Sequence, residues 1–279
     1  MKSETNIQTE QPKNQSDNFY RFDAVVGLPT INVNEITLGD SLELCERIPA
    51  KTVDLILEDM PYNTTMCEWD VKIDLELYWE TRLRILKPTG VVILTATQPF
   101  TTLLGNSNLG MLKYDLVWLK PNPSNIFLGK IRPLNHHENI LIFANGRTVY
   151  NAQKEKRLNI NKRANKVRVS EKNIETFGEC KKKFVDATDN LRLPKSVLDF
   201  PRPQDTLHPT QKPVGLFEYL IRTYSNEGDL VFDGFGGSGT TAIACHKSKR
   251  NFIVIEKEQK YFDLAKRRLA DERTQLSLL

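Results

Sequence analysis

The segment VFDGFGGSGTT, residues Val231–Thr241, decides the fold of this 279-residue chain. A short apolar run ends on Asp233, a loop with four glycines follows, and two threonines begin a helical pattern. Glycine lets a backbone approach a ligand closely and adopt positive φ angles. A strand, a glycine-rich loop and a helix in this order predict one unit of an open, mostly parallel α/β sheet, with a ligand held against the loop.

The next apolar run, FIVIE, ends on Glu256, about twenty residues after the loop begins, the spacing at which an acid accepts hydrogen bonds from a ribose diol. The two motifs together indicate an adenosine-bearing cofactor. A phosphate-binding P-loop is the competing interpretation, but it requires a Gly-Lys-[Ser/Thr] sequence, and no lysine lies in this loop. A loop without that lysine suits a ligand without phosphates.

A second unusual stretch is LILEDMPYNTT, residues 55–65, in which an apolar run stops at Asp59 and continues with Met60, Pro61 and Tyr62. A simple turn accepts Gly, Asn or Ser at such positions, and a plain strand-to-loop turn is the alternative interpretation. The quartet instead presents a carboxylate, backbone carbonyls and a flat ring. The oxygens can accept hydrogen bonds from the amino group of an aromatic base, and the ring can stack on that base.

Three segments resemble the DNA amino-methyltransferases. DGFGGSGTT (233–241) resembles their S-adenosylmethionine motif D-P-F-x-G-S-G-T-T, DMPY (59–62) resembles their catalytic D-P-P-Y, and LHPTQKP (207–213) is similar to their H-P-x-Q-K-P segment. The catalytic motif precedes the cofactor motif here, which is the β-class, circularly permuted order of adenine-N6 and cytosine-N4 enzymes. The resemblance covers residues 35 to 272 and implies a Rossmann-like, S-adenosylmethionine-dependent methyltransferase fold with helices on both faces of the sheet.

The resemblance also implies site residues. Asp59, the carbonyl of Met60 or Pro61, and the ring of Tyr62 would be catalytic. Residues expected to bind S-adenosylmethionine are Asp40, Asp59, His208, Lys212, Asp233, Phe235, Gly237, Ser238, Gly239, Thr240 and Glu256. Asp40 is expected near the cofactor adenine, with a helix N-cap as the alternative role. His208 and Lys212 are expected near the methionine carboxylate, with a Pro-rich linker as the alternative.

Two positions depart from the family pattern, because Met60 and Gly234 stand where prolines are usual. The resemblance implies that Met60 leaves activity intact while making its loop less rigid. It implies that Gly234 adds freedom to the cofactor loop and weakens cofactor binding modestly.

The charge is distributed unevenly along the chain. Residues 147–202 carry 15 Lys and Arg against 7 Asp and Glu, although the whole chain has a net charge of only +4. Such a basic segment is typical of a nucleic-acid contact, and a solvated insertion is the alternative. We therefore predict a target-recognition insertion over 147–205, with DNA contacts from Lys181, Lys182 and Lys183. A separate loop over 118–125 is expected to face DNA, where Lys120 either contacts a phosphate or is a solvated loop lysine.

The remaining sequence features mainly concern signals that the sequence lacks. Residues 1–20 are polar without an apolar h-region, which predicts a disordered tail ahead of a catalytic domain over 21–279. Since no apolar run is long enough to cross a membrane, we expect a cytoplasmic protein. The four cysteines have no C-x-x-C spacing, and HHEN (136–139) lacks the H-E-x-x-H spacing, so no metal site is expected and His137 is assigned a structural role.

The expected function is site-specific methylation of adenine N6 in double-stranded DNA, with base flipping, as in a restriction-modification system. An Asp at the head of the quartet is typical of adenine-N6 members, and the absence of a Pro-Cys dipeptide excludes a cytosine-C5 enzyme. Cytosine-N4 methylation, an RNA- or glutamine-directed methyltransferase and a non-catalytic binding subunit remain as alternatives. A homodimer and a cognate restriction endonuclease are the further candidate partners.

Overall fold

The computed structural model describes residues 30–62, 73–124, 126–156, 191–202 and 210–277. The strands are β1 (Glu35–Leu38), β2 (Val53–Glu58), β3 (Leu86–Ala96), β4 (Leu112–Ser124), β5 (Asn135–Ala144), β6 (Glu155–Lys156), β7 (Leu191–Arg192), β8 (Val197–Asp199), β9 (Leu230–Asp233) and β10 (Asn251–Glu256). The α-helices are α1 (Ser41–Cys45), α2 (Leu75–Ile85), α3 (Phe100–Ser107), α4 (Val214–Tyr224), α5 (Thr240–Ser248) and α6 (Gln259–Ser277), and Ile126–Leu128 form a 3-10 helix.

Eight of these strands form one sheet in the order β1-β10-β9-β2-β3-β5-β4-β8, and β6 pairs with β7. The first five strands are mutually parallel. Strand β5 runs antiparallel to β3 and β4, and β8 is parallel to β4. The sequence-based expectation of an open, mostly parallel sheet is therefore confirmed.

The helices cover both faces of the sheet, as expected, because the central strands alternate their side chains between two apolar clusters. Leu57 and Val254 point to the cluster that contains α4, α5 and α6. Ile56 and Ile255 point to the cluster that contains α1, α2 and α3. Burial on both faces explains why these strands read as continuous apolar runs in the sequence.

The switch point of the sheet lies between β9 and β2. From β9 the chain proceeds through α5 to β10 on one side, whereas from β2 it proceeds through α2 to β3 on the other. Helical connections that diverge from two adjacent parallel strands leave a crevice outside the carboxyl ends of those strands. Asp233 ends β9, and Asp59 directly follows β2.

The prediction of a loop over 118–125 is wrong for residues 118–124, because these residues belong to β4. Pairing with β5 continues to Ser124, with an irregular register between Leu119 and Ser124. Pro121 and Pro123 fall in this irregular stretch, where β8 no longer pairs with β4, so their missing N–H groups break no regular ladder. Within the described segments, no helix combines the length and the apolar composition that crossing a membrane requires.

Several predictions concern residues outside the described ones. The tail 1–20, the lysines Lys181, Lys182 and Lys183, and most of the basic segment 147–205 fall there. Of that segment the structure describes 147–156, with β6, and 191–202, with β7 and β8.

Candidate active site

Four acidic side chains meet at one edge of the sheet. Asp40 follows β1, Asp59 follows β2, and Asp233 and Glu256 are the last residues of β9 and β10. Parallel strands bring their carboxyl ends together, and all four acids line a single cavity of about 460 Å³. The quartet and the glycine loop, more than 170 positions apart in the sequence, thus form one site.

The glycine loop bends tightly over the carboxyl end of β10. Gly237 and Gly239 have φ angles of 50° and 78°, in the left-handed region that glycine tolerates best. A Cβ on Gly236 would lie only 2.5 Å from Val254 Cγ1. The loop backbone therefore forms one wall of the cavity, together with the side chains of Phe235, Ser238 and Thr240. Gly239 is the N-cap of α5 and packs against α6, where an added Cβ would lie 2.9 Å from Ala265 Cβ.

Glu256 is held by the backbone that surrounds it. Its two carboxylate oxygens accept hydrogen bonds from Gly237 N at 2.6 Å and from Glu258 N at 2.7 Å. Burial raises the pKa of Glu256 above its ordinary value, although these hydrogen bonds oppose the shift. Each carboxylate oxygen has a second lone pair, so a ribose hydroxyl can still donate to it.

Asp40 is both the N-cap of α1 and a cavity residue. Its carboxylate accepts from Leu42 N at 2.9 Å and pairs with Lys257 Nζ at 3.0 Å. Burial by itself would raise the pKa of Asp40, but the hydrogen bond and charge of Lys257, together with the backbone hydrogen bonds from Leu42 and Glu43, leave the pKa below its ordinary value. The N-cap alternative is confirmed, and the carboxylate still faces the cavity.

Asp233 is almost fully buried at the floor of the cavity. It accepts hydrogen bonds from Phe235 N at 2.9 Å and from the Thr241 hydroxyl, which fixes the start of the loop to the start of α5. Burial raises the pKa of Asp233 to about 8. A cationic ligand in the cavity would favour its ionised form.

Asp59 accepts three hydrogen bonds. The Tyr62 hydroxyl, at 2.6 Å, and the Thr95 hydroxyl both donate to Oδ1, and Lys212 Nζ donates to Oδ2 at 2.5 Å. A carboxylate offers about four lone-pair sites, so roughly one remains on Oδ2 for a further donor. The Tyr62 ring contacts the Phe100 ring, with 5.3 Å between centroids, and burial raises the pKa of Tyr62 well above its ordinary value.

Lys212 lines the cavity as predicted, but its ammonium group binds protein carboxylates. Besides Asp59, it lies 3.3 Å from Glu138 Oε2, an ion-pair distance without the direction of a hydrogen bond. Burial alone would lower the pKa of Lys212, whereas the two carboxylates raise it and determine the net shift. The expected contact of Lys212 with a cofactor carboxylate stays a prediction, and His208 lies outside the described residues.

The prediction that Lys120 contacts a DNA phosphate is wrong for the structure described. Its side chain is buried and binds Glu138 Oε1 at 3.2 Å and Ser124 Oγ at 2.9 Å. Burial lowers the pKa of Lys120, and Glu138 only partly offsets this effect. Asp59, Lys212, Glu138 and Lys120 thus form a chain of alternating charges from the quartet to β4.

A buried ion pair beneath the glycine loop has no counterpart among the sequence predictions. Glu58 and Arg82 are both inaccessible to solvent, and Arg82 Nε donates to Glu58 Oε1 at 3.0 Å. The same oxygen accepts from Gly234 N at 2.9 Å, and Glu58 Oε2 accepts from the Tyr78 hydroxyl at 2.6 Å. In the sequence, Glu58 stands next to Asp59 with no motif that marks it as the partner of an arginine.

Both departures from the family pattern have a structural role. A Cβ on Gly234 would lie 2.4 Å from Arg82 Nη2 and 2.8 Å from Glu58 Oε1, so glycine is required there by space. The Met60 side chain is buried in the apolar core. The expected effects of these two residues on loop rigidity and on cofactor binding stay predictions.

The arrangement agrees with comparisons to known proteins. The sequence model of the family described as "DNA methylase", with the short name N6_N4_Mtase, matches residues 53–267. This chain belongs to the N6/N4 DNA methylase family. The match includes Asp59, Lys212, Asp233 and Glu256, the residues that surround the cavity.

Two curated relatives of this methylase are bacterial enzymes. The type II methyltransferase M.HinfI of Haemophilus influenzae is 29% identical over 271 residues, which cover 86% of this chain and 69% of that protein. The DNA adenine methyltransferase YhdJ of Escherichia coli is 30% identical over 250 residues, which cover 83% and 81% of the two chains.

Solved structures support the fold of this methylase. The M1.HpyAVI–SAM complex matches with a TM-score of 0.57 and 26% identity, covering 84% of this chain and 99% of that one. The cytosine-N4-specific PvuII DNA methyltransferase matches with a TM-score of 0.58, covering 86% and 91%, at an identity of 18% that supports the fold alone.

Proposed function

We propose that this methylase transfers a methyl group from S-adenosylmethionine to the exocyclic N6 of adenine in DNA. The observation that carries the proposal is the shared cavity, because the quartet residues Asp59 and Pro61 line the same space as the glycine loop and Glu256. A methyl donor held by the loop and an amine held by the quartet would face each other across that space.

The cavity suits S-adenosylmethionine. Its volume of about 460 Å³ is in the usual range for small-molecule sites. Its lining contains the acids Asp40, Asp59, Asp233 and Glu256, which suit a cationic ligand with sugar hydroxyls. Glu256 would receive the ribose hydroxyls, and Asp233 would lie near the cationic amino acid part. When bound, S-adenosylmethionine supplies an electrophilic methyl group on a sulfonium sulfur.

The quartet would prepare the target amine. The lone pair of an exocyclic amine is delocalised into the ring, which makes the amine a poor nucleophile. The remaining lone-pair site on Asp59 Oδ2 and the carbonyl of Met60 or Pro61 would accept its two hydrogens and so favour a pyramidal nitrogen. Lys212, Thr95 and Tyr62 keep the Asp59 carboxylate in one orientation before the base arrives. The Tyr62 ring would stack on the flipped base.

Adenine N6 is favoured over cytosine N4 by two observations. Asp59 heads the quartet, and the relative YhdJ, at 30% identity, is named a DNA adenine methyltransferase. The cytosine-N4 enzyme that matches in structure does so at only 18% identity.

Labelled S-adenosylmethionine and unmethylated genomic DNA test the proposal. The purified full chain should transfer label to DNA, and sequencing of modified bases should find N6-methyladenine in one sequence context. An Asp59→Ala variant is the matched inactive control. N4-methylcytosine would overturn the choice of base, label in RNA but not DNA would overturn the substrate class, and cofactor binding without transfer would indicate a non-catalytic subunit.

The basic segment 147–205 is proposed to recognise the target sequence in double-stranded DNA. Replacing Lys181, Lys182 and Lys183 with Gln should weaken DNA binding and reduce its salt dependence by about one unit of slope per lost phosphate contact. Cofactor affinity should not change. If the DNA affinity and its salt dependence did not change, these lysines would be solvated side chains that make no contact with DNA.

The cellular setting is part of the same proposal. It includes a cytoplasmic location, a homodimer and a cognate restriction endonuclease; the relative M.HinfI is named a type II methyltransferase. Sedimentation of the purified chain with and without DNA would determine its oligomeric state. Loss of viability when the methylase gene is deleted, but not when a neighbouring nuclease gene is deleted with it, would demonstrate the pairing.

A further inference from the structure

The tip of the β4–β5 hairpin exposes large apolar side chains. Phe127, Ile131 and Ile126 are 98%, 80% and 69% exposed, the highest values among the large hydrophobic residues that the structure describes. An apolar patch that projects into solvent indicates a binding surface, because water solvates such side chains poorly. We call these three side chains the apolar tip.

The apolar tip belongs to an ordered turn. Gly129 N donates to Ile126 O at 3.1 Å, and the amides of Ile131 and Arg132 both donate to Leu128 O at 2.9 Å. These hydrogen bonds close a compact loop around the 3-10 helix Ile126–Leu128. The tip is therefore a preorganised projection, so little conformational entropy is lost when it binds a partner.

The hairpin lies beside the catalytic quartet. Strand β4 runs in the same direction as β3, so its carboxyl end is at the edge of the sheet where Asp59 lies. The base of the hairpin adjoins Thr97 and Gln98 across a cavity of about 230 Å³ that Arg132 and His137 also line. Thr97 is two residues from Thr95, whose hydroxyl donates to Asp59.

The charged side chains that the hairpin itself carries near the apolar tip are cationic. Lys130 and Arg132 are exposed, and no Asp or Glu occurs in the sequence between Asp115 and Glu138. Cations that flank apolar side chains suit a partner in which phosphate groups flank a stack of flat, apolar rings. A second copy of this chain fits less well, since a two-fold contact between tips would bring like charges together.

We propose that the apolar tip is a wedge that enters the DNA base stack next to the target base, while Lys130 and Arg132 bind the flanking phosphates. The inference rests on the proposed function and adds the element that opens the duplex. Apolar wedges such as Phe and Ile partly unstack base steps, and an aromatic ring can replace the lost stacking. The wedge would occupy the space that the flipped base leaves, while Tyr62 receives the base itself.

The test uses a short duplex that carries the methylated sequence identified by sequencing, and the same duplex with the target base mispaired. Phe127→Ala should methylate the paired duplex about ten- to a hundredfold more slowly than the wild type, the equivalent of one lost stacking contact. On the mispaired duplex, whose target base is already easier to extrude, the variant should approach the wild-type rate. Leu109→Ala, 65% exposed and in the turn before β4, is the matched control and should have no effect.

The wild-type rate on the paired duplex establishes the proposed function independently, so the wedge can fail while that function holds. An equal loss on both duplexes would overturn the wedge and indicate a general DNA contact. No loss on either would show that the tip does not bind DNA. A lower thermal stability, or a change from dimer to monomer by sedimentation, would show that the tip packs against protein instead.

Discussion

Replacing Gly234 with proline, the residue that the family usually has there, should destabilise this protein. A Cβ at this position would lie 2.4 Å from Arg82 Nη2 and 2.8 Å from Glu58 Oε1. Both of these side chains are fully buried, so they cannot move into solvent to relieve the contact. Proline would also remove the Gly234 N–H that donates to Glu58 Oε1 at 2.9 Å. Overpacking costs about 1–3 kcal/mol, and a lost hydrogen bond to a charged group costs about 1.5–3 kcal/mol.

Together these effects predict that Gly234→Pro lowers the free energy of unfolding by roughly 3–5 kcal/mol, and Gly234→Ala by roughly 1–3 kcal/mol. Urea unfolding followed by circular dichroism measures both losses. The matched control is Gly110→Ala, where an added Cβ meets nothing within 4 Å, and its stability should stay within about 0.5 kcal/mol of the wild type. Cofactor affinity should fall with Gly234→Pro, because the displaced residue begins the glycine loop.

Unfolding of Gly234→Pro at the wild-type urea concentration, with an unchanged slope, would contradict this prediction. Such a result would mean that the Glu58–Arg82 pair does not pack beneath residue 234. A stabilised variant would show that the restricted backbone of proline outweighs both costs, and that the glycine is incidental.

Three further predictions concern the cavity. Since burial raises the pKa of Asp233 to about 8 and a cationic cofactor favours the ionised carboxylate, cofactor binding should release a proton below pH 8. The cofactor affinity measured by calorimetry should therefore rise with pH up to about 8, by at most about tenfold per pH unit. A wild-type affinity that does not change with pH, or an Asp233→Asn affinity that does, would contradict this prediction. Lys212→Met should slow methyl transfer more than it weakens cofactor binding, because Asp59 loses its buried counter-ion. Single-turnover rates measure the first effect and cofactor titrations the second. A larger loss of cofactor affinity than of rate would favour a contact between Lys212 and the cofactor carboxylate instead. Tyr62→Phe keeps the ring but removes a hydrogen bond to Asp59, which is worth about 1 kcal/mol. The single-turnover rate should therefore fall only severalfold. A loss as large as that of Tyr62→Ala would show that the hydroxyl matters more than the ring.

The strand ends of this methylase could be predicted from its sequence for a simple physical reason. Buried parallel strands are apolar along their whole length, so a change to Asp or Glu marks where each strand reaches the edge of the sheet. Asp59, Asp233 and Glu256 were identified in this way, and the structure places them around one cavity. The glycines at 237 and 239 were likewise evident, and their positive φ angles show why glycine is needed.

The polar contacts between distant segments could not be predicted. A buried charge is stable only next to a partner, and the partner depends on the tertiary fold. The sequence predicts a phosphate contact for Lys120, which stands just before Pro121 and Pro123 in a segment that reads as an exposed loop, whereas Glu138 binds it inside the sheet. Glu58 lies within a strand pattern, and its partner Arg82 lies on a separate helix with no motif to mark it.

The most direct test is single-turnover methylation by Asp59→Asn, measured on duplex DNA that keeps adenine at the target position. Base flipping is followed separately by the fluorescence of a duplex that carries 2-aminopurine there. The substitution keeps the size of the side chain but replaces an acceptor oxygen by a donor that would face the target amine. Loss of one preorganised group of this kind typically slows the chemical step about a hundred- to a thousandfold. We expect that loss with cofactor affinity, DNA affinity and base flipping preserved, since none of these depends mainly on that oxygen. Near-normal turnover by Asp59→Asn would contradict the account and reduce the quartet to a turn after β2.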